Sequence, residues 1–278
     1  MDTRAIRSRA DADELRPSLW HLPGDVVMRL TNRTALISGA GGPMGSAIAK
    51  RFAQEGASLV LTDISARRLE EAVSQTQASL VEGAKLYSQR GSVLVRDEAR
   101  ALVEAGVDAC GPIDILINVV GGIRSQSLFE PFLQMSEERW DATMELNLKG
   151  NFHLTQLVAP SMLERKYGRI VNIASIIFAG ASGQVDYGAA KAAVASMTRS
   201  LALEFAPHVT VNCISPATIK TSVIERLSEE EQDHWRNQTV MKRFGEREEI
   251  ANAVLFLASD ESSYMTGEIM SVAGGVWP

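Results

Sequence analysis

The sequence predicts an α/β chain built on one parallel, doubly wound sheet with helices on both faces. Three observations carry that expectation. From Arg29 onward, short apolar runs rich in β-branched residues alternate with amphipathic helical stretches. The runs are apolar nearly throughout rather than at every second residue, as in strands covered on both faces. Two long irregular stretches, Gly121 to Pro131 and Pro216 to Gly245, each follow a strand. Both should therefore overhang the carboxyl edge of the sheet, where open α/β folds bind ligands.

The elements follow in order. Thr34 to Ser38 is a short apolar strand that runs into a glycine-rich turn, and Met44 to Glu55 is the helix after it. Ser58 to Asp63 is the second strand, closed by an acid, and Ala66 to Gln77 the second helix. Lys85 to Ser88 reads as a third strand and Asp97 to Ala109 as a third helix. Ile113 to Asn118, Ile170 to Ala174 and Val209 to Ile214 are the most apolar runs and read as central strands. Between them, Ser136 to Pro160 and Tyr187 to Phe205 have the length and periodicity of long helices. Glu248 to Ala258 is a last helix and Ile269 to Val272 a last strand, making seven strands.

At 278 residues the chain is long enough for two domains, but no linker or repeat divides it. It reads as one domain over 28–278, preceded by an extension over 1–27 in which Leu15, Leu19, Trp20 and Leu22 are candidate anchors. That extension has no apolar core of a secretory leader. Its Arg4, Arg7, Arg9 and Arg16 are offset by Asp2, Asp11, Asp13 and Glu14, unlike an acid-poor transit peptide. Hydrophobic residues at 45% and charged residues at 22% exclude a disordered chain. A net charge of −6 argues against nucleic acid or an anionic membrane as partner, and no apolar run is long enough to span a bilayer. Cys110 and Cys213, both in apolar contexts, make neither a disulfide framework nor a cysteine-rich metal site, and suit the cytoplasm.

The first strand leads into Gly39-Ala40-Gly41-Gly42-Pro43-Met44-Gly45 and then a helix. Glycines let backbone N–H groups approach a pyrophosphate, and the helix N-terminus adds partial positive charge. Pro43 suits the first helical position, where its missing N–H costs the helix nothing. Asp63, ending the second strand, can accept hydrogen bonds from ribose hydroxyls and would repel a 2′-phosphate, which favours NAD over NADP. Arg67 and Arg68 read as a solvated helix face. Further along, Tyr187 and Lys191 stand four apart at a helix start, so they share a face. A cation there lowers the phenol pKa and makes Tyr187 a usable proton donor or acceptor. Ser175 ends a buried strand on the same edge, within reach of a carbonyl oxygen, and Asn147 sits mid-helix, where asparagine is unfavourable without a role.

These motifs resemble the short-chain dehydrogenase/reductase family over Arg29 to Gly275. The cofactor turn Thr-Gly-x-x-x-Gly-x-Gly is matched by Ser38 to Gly45, with Ser for Thr and Pro43 for the middle Gly. Asn118-Val119-Val120-Gly121 stands for Asn-Asn-Ala-Gly, Ser92-Val93 for Asp-Val, and Pro216-Ala217 for Pro-Gly. Thr266-Gly267 and Ala273-Gly274-Gly275 complete the C-terminal signature. The resemblance implies a single Rossmann-type domain and hydride transfer with NAD(H). It assigns catalysis to Asn147, Ser175, Tyr187 and Lys191: Tyr187 exchanging the proton, Lys191 lowering its pKa and binding ribose, Ser175 polarising the carbonyl, Asn147 holding a relay water. Cofactor contacts fall on Gly39, Gly42, Met44, Gly45, Asp63, Ile64, Ser92, Val93, Asn118, Gly121, Tyr187, Lys191, Pro216, Ile219 and Thr221. A mostly apolar wall with Ile177, Gln184 and Thr218 faces the substrate, and Ile224, Leu227, Trp235 and Met241 offer a lid. The expected activity interconverts a small secondary alcohol and its ketone in a cytoplasmic homotetramer, with no metal. A 3-oxoacyl thioester reductase using NADPH and a non-catalytic dinucleotide-binding protein are the alternatives.

Overall fold

Residues 28–123, 127–220, 224 and 228–276 are described by the computed structural model of the chain. The expected extension 1–27 lies outside them, as do Thr221 and Leu227. β1 (Thr34–Ser38) leads through the glycine turn into α1 (Pro43–Gln54), followed by β2 (Ser58–Asp63), α2 (Ala66–Gln77), β3 (Leu86–Arg90) and α3 (Arg96–Cys110). The second half runs β4 (Ile115–Asn118), α4 (Glu137–Glu164), β5 (Gly168–Ile173), α5 (Val185–Phe205), β6 (Val209–Pro216), α6 (Glu229–Gln238), α7 (Arg247–Ala258) and β7 (Ile269–Val272).

The strands form one sheet in the order β3-β2-β1-β4-β5-β6-β7, and every neighbouring pair is parallel. This is a doubly wound, Rossmann-type α/β fold. Alternate residues of each central strand serve opposite faces. Ala35 and Ile37, Leu59 and Leu61, and Ile115 and Ile117 pack with α1, α2 and α7. Leu36, Val60 and Leu116 pack with α3, α4 and α5. Both sides of these central strands are thus buried, which is why the sequence shows continuous apolar runs there. The chain reverses direction of winding between β1 and β4, and Ser38 ties those two ends together. Its hydroxyl accepts from Val119 N at 3.1 Å and donates to Ile117 O at 3.4 Å.

Three expectations are corrected. β3 runs to Arg90 rather than Ser88; it is an edge strand whose polar residues hide its end. α4 continues past Pro160 to Glu164, because Met162 beyond it is fully buried and sustains the packing. The stretch from Pro216 to Gly245 is not wholly irregular: it contains α6, a polar helix without an apolar period for the sequence to reveal. The acids Glu229, Glu230 and Glu231 form its first turn, where the helix dipole favours them, and Ser228 and Glu231 close a capping box. No described helix is long and apolar enough to cross a membrane, and no cluster of three metal-ligating side chains occurs among the described residues.

Candidate active site

The carboxyl ends of β1, β2 and β4 open onto a cavity of about 460 Å³. Gly39, Gly42, Met44, Asp63, Ile64, Ser92, Val93 and Gly121 line it, as the sequence predicts for cofactor contacts. Gly39 adopts φ +66°, the left-handed turn that glycine tolerates. Gly42 is the N-cap of α1 and Pro43 its first residue. Gly45 stands behind the turn, where a Cβ would overlap the Gly39 carbonyl, so its part is to let helix and strand meet. Asp63 is buried at the far end and highly engaged: Oδ2 accepts from Gly41 N at 3.1 Å, and Oδ1 from Ser65 N at 2.9 Å and Arg68 at 3.1 Å. Arg68 is exposed, as a solvated helix face requires, and at the same time lines the cavity through its ion pair with Asp63; Arg67 is exposed beside it, paired with Glu71 at 2.6 Å.

Near Gly121 the cavity meets a second group of side chains. A Cβ on Gly121 would lie 2.6 Å from Asn147 Oδ1 and 2.8 Å from Lys191 Nζ, so all three converge. The Asn147 amide donates to Gly122 O and to Thr143 O, both at 2.8 Å, and accepts from Gly122 N at 2.9 Å. Both its N–H groups are engaged, and Oδ1 has accepted one hydrogen bond of the two it can take. Buried Lys191 donates to Ile173 O at 2.8 Å, and burial lowers its pKa to about 8. Its Nζ lies 5.6 Å from the Tyr187 ring centroid. The small residues after Tyr187 let α5 seat closely: a Cβ on Gly188 would come within 3.1 Å of Ile177 O. Ser175, in the turn after β5, is close enough to act on the Tyr187 phenol. Burial pushes the phenol above its ordinary value and the Ser175 hydrogen bond pulls it back. The expected lowering by Lys191 does not appear among these causes; desolvation dominates.

The remaining predicted residues flank this centre. Asn118 ends β4, donating to Asn172 Oδ1 at 2.9 Å. Pro216 ends β6, and Ile219 bridges to Gly245, holding that segment in place. Thr218 and Ile219 line a smaller cavity of about 110 Å³. Gln184, the residue before α5, donates to Leu128 O at 3.3 Å. Trp235 of α6 stacks on Phe129 at 5.9 Å, while Met241 is exposed.

Comparison with known proteins now bears on this geometry. A family model described as enoyl-(acyl carrier protein) reductase matches residues 39–277. Subunit BbsD of (2S)-((R)-hydroxy(phenyl)methyl)succinyl-CoA dehydrogenase from Thauera aromatica is 39% identical over 249 residues, covering 89% of this chain and 98% of that protein. The 3-oxoacyl-(acyl-carrier-protein) reductase FabG of Thermotoga maritima is 39% identical over 251 residues, 90% of this chain and 99% of that one. The crystal structure of levodione reductase matches with a TM-score of 0.82 at 30% identity, covering 88% of this chain and 98% of its own. The chain belongs to the short-chain dehydrogenase/reductase family.

It is therefore an oxidoreductase, and members of this family bind a nicotinamide dinucleotide. The cavity fits such a group. The buried hydroxyl of Thr62, on its wall, has no hydrogen-bond partner among the described residues, as a contact for a bound group requires. The sequence reading missed Thr62, Leu94 and Leu146, all of which line the cavity. It also missed His153, whose Nδ1 lies 3.0 Å from Val93 O and fixes that wall. Thr62 stands next to Asp63 on a strand end and was the most findable of the four.

Proposed function

We propose that this enzyme interconverts a small, neutral secondary alcohol and its ketone with NAD(H), Tyr187 exchanging the substrate proton. The carrying observation is the contact at Gly121. Gly121 lines the cavity, and the space a Cβ would take there is filled by Asn147 Oδ1 and Lys191 Nζ. Lys191 follows Tyr187 by one helical turn, so the proton-exchanging group stands beside the inner end of that cavity.

The bound nicotinamide supplies or accepts the hydride; the protein manages orientation and the proton. Tyr187 holds its proton at neutral pH because burial favours the neutral phenol, which suits donation to a carbonyl oxygen. Ser175 donates a hydrogen bond to the same oxygen and helps bear the charge left on Tyr187. Lys191, still protonated at neutral pH, adds its field. In oxidation the phenol must first lose its proton, so alcohol turnover rises with pH. Met44, Ile64, Ser92, Val93, Asn118, Pro216 and Ile219 complete the cofactor contacts, with Thr221 outside the described residues. Ile177, Gln184 and Thr218 form the substrate side.

Asp63 supports NAD, because a buried carboxylate repels a 2′-phosphate at the same place. Arg68 supports a second reading, a 3-oxoacyl thioester reductase using NADPH, since it offers a cation 3.1 Å from that carboxylate. The FabG likeness points to a thioester reductase as well, and BbsD shares the thioester substrate class as a dehydrogenase of a succinyl-CoA. The acidic first turn of α6 opposes it, because thioester carriers bear phosphates. We further propose one domain over 28–278 and a homotetramer in the cytoplasm. Exposed Phe152, with Met144, Leu148 and Met197, gives α4 and α5 an apolar face that suits a second copy. Nicotinamide absorbance with NAD(H) and NADP(H) across cyclic alcohols and ketones, hydroxy acids, sugars and acyl thioesters tests the reading. A hundredfold preference for thioesters with NADPH would replace it with the second.

A further inference from the structure

Asp186, directly before Tyr187, is fully buried in the first turn of α5. A buried carboxylate has a large desolvation cost that only good partners offset. Its Oδ2 accepts from Arg139 Nε at 3.0 Å and from the Thr143 hydroxyl at 2.9 Å, both on the first turns of α4. Although burial alone would raise its pKa, the bonds from Arg139, the Tyr187 backbone and Thr143 hold the carboxyl below the usual range. Arg139 is itself nearly buried and reaches onward, to Glu130 Oε2 at 2.9 Å and to Ser127 O at 3.1 Å. Glu130 in turn donates its N–H to Gly183 O at 2.8 Å, just before α5.

Thr143 links this pair to the reaction centre from the other side. Its carbonyl accepts from Asn147 at 2.8 Å, while its hydroxyl donates to Asp186. A continuous bonded path thus runs from Gly122 through Asn147 and Thr143 to Asp186, and the next residue is Tyr187. The path fixes where the first turn of α5 sits against α4, and so the offset between Tyr187 and Asn147.

We infer that the Asp186–Arg139 ion pair, with Thr143, is a positioning device for this reaction: it holds Tyr187 in register with Asn147 and couples that register to the segment at Ser127–Glu130. The inference rests on the reading of Tyr187 as the proton-exchanging group. Displacing a reacting group by about 1 Å costs on the order of 100-fold in rate. Loss of the pair should therefore appear in kcat and spare both KM and cofactor affinity, which a general loss of structure would not.

The test uses Asp186→Asn, Arg139→Gln, the double variant, Thr143→Val and Tyr187→Phe, in the full-length enzyme. Each is assayed for kcat, KM, cofactor dissociation constant and melting temperature. Asp186→Asn and Arg139→Gln should each lower kcat by about 100-fold, with KM and cofactor affinity within about threefold. The double variant, a neutral hydrogen-bonded pair of the same shape, should regain about tenfold over either single variant. Thr143→Val removes one hydroxyl and should lower kcat by about tenfold even if the charge variants fail to fold. Wild-type kcat in folded Asp186→Asn or in Thr143→Val, beside an inactive Tyr187→Phe, overturns the positioning role alone. A fully active Tyr187→Phe overturns the functional reading and this inference together.

Discussion

Replacing Gly121 by Ala adds a single methyl group at the point where the cavity meets the reaction centre. The new Cβ would lie 2.6 Å from Asn147 Oδ1 and 2.8 Å from Lys191 Nζ, against an ordinary contact of 3.4 Å or more. Neither neighbour yields freely. Asn147 is held by three hydrogen bonds of 2.8–2.9 Å, and Lys191 by its bond to Ile173 O at 2.8 Å. Both side chains are buried, so no solvent-facing rotamer offers an escape. Relief requires a displacement of roughly 0.8 Å, shared among Asn147, Lys191 and the Gly121–Gly122 turn. Overpacking of this kind costs about 1–3 kcal/mol in stability. Misplacing Lys191 beside Tyr187 by such an amount costs on the order of 100-fold in rate. Stopped-flow or steady-state nicotinamide absorbance gives kcat, and thermal melting gives the stability change. Gly121→Ala with kcat within about threefold of wild type would refute the convergence of Gly121, Asn147 and Lys191 as the working geometry.

Asp63→Ser should relax the preference for NAD by removing the repulsion of a 2′-phosphate, while Arg68→Ala should sharpen it; kcat/KM with each dinucleotide checks both, and equal use of NADPH by the unaltered enzyme contradicts the reading. Lys191 has its folded pKa lowered to about 8 from 10.5. Its burial cost is therefore complete below pH 8 and disappears as pH rises toward 10.5. Lys191→Met should accordingly gain stability over wild type most below pH 8, with the gap closing above it, as read by melts across that range. Phe152→Glu on the exposed α4 face should shift the assembly toward smaller species in light scattering, and an unchanged mass would count against that face as an interface.

How far the sequence shows this molecule depends on what each segment buries. β1, β2 and β7 match their expected bounds, and β4, whose run begins two residues early, keeps its end at Asn118. Strand ends are sharp because Ser38, Asp63 and Asn118 interrupt apolar runs at the carboxyl edge. α6 is marked less sharply for the opposite reason: none of its residues is fully buried, so no apolar period bounds it, and only the acids after Ser228 point to a helix there. In the candidate site, Asn147, Ser175, Tyr187 and Lys191 stand out by residue type and spacing, while their roles come from the family resemblance. Arg68 does not stand out, because its ion pair with Asp63 depends on how closely α2 starts beside Gly41, where a Cβ would lie 2.7 Å from the Arg68 Cβ. The pairing of Asp186 is not visible in the sequence either. Its partners Arg139 and Thr143 lie 47 and 43 residues away, a proximity that only packing of α4 on α5 creates. The sign of the Tyr187 shift was misjudged from spacing alone, since spacing reveals the cation and not the depth of burial.

The central claim is that Tyr187 exchanges the proton with the substrate oxygen. Turnover of folded Tyr187→Phe, measured alongside its cofactor dissociation constant, tests it most directly. The substitution removes one hydroxyl and leaves the ring and α5 in place. The account predicts a loss of roughly 10²–10⁴-fold in kcat with cofactor affinity nearly unchanged. Turnover within about threefold of wild type, in a variant that melts as the parent does, would contradict it.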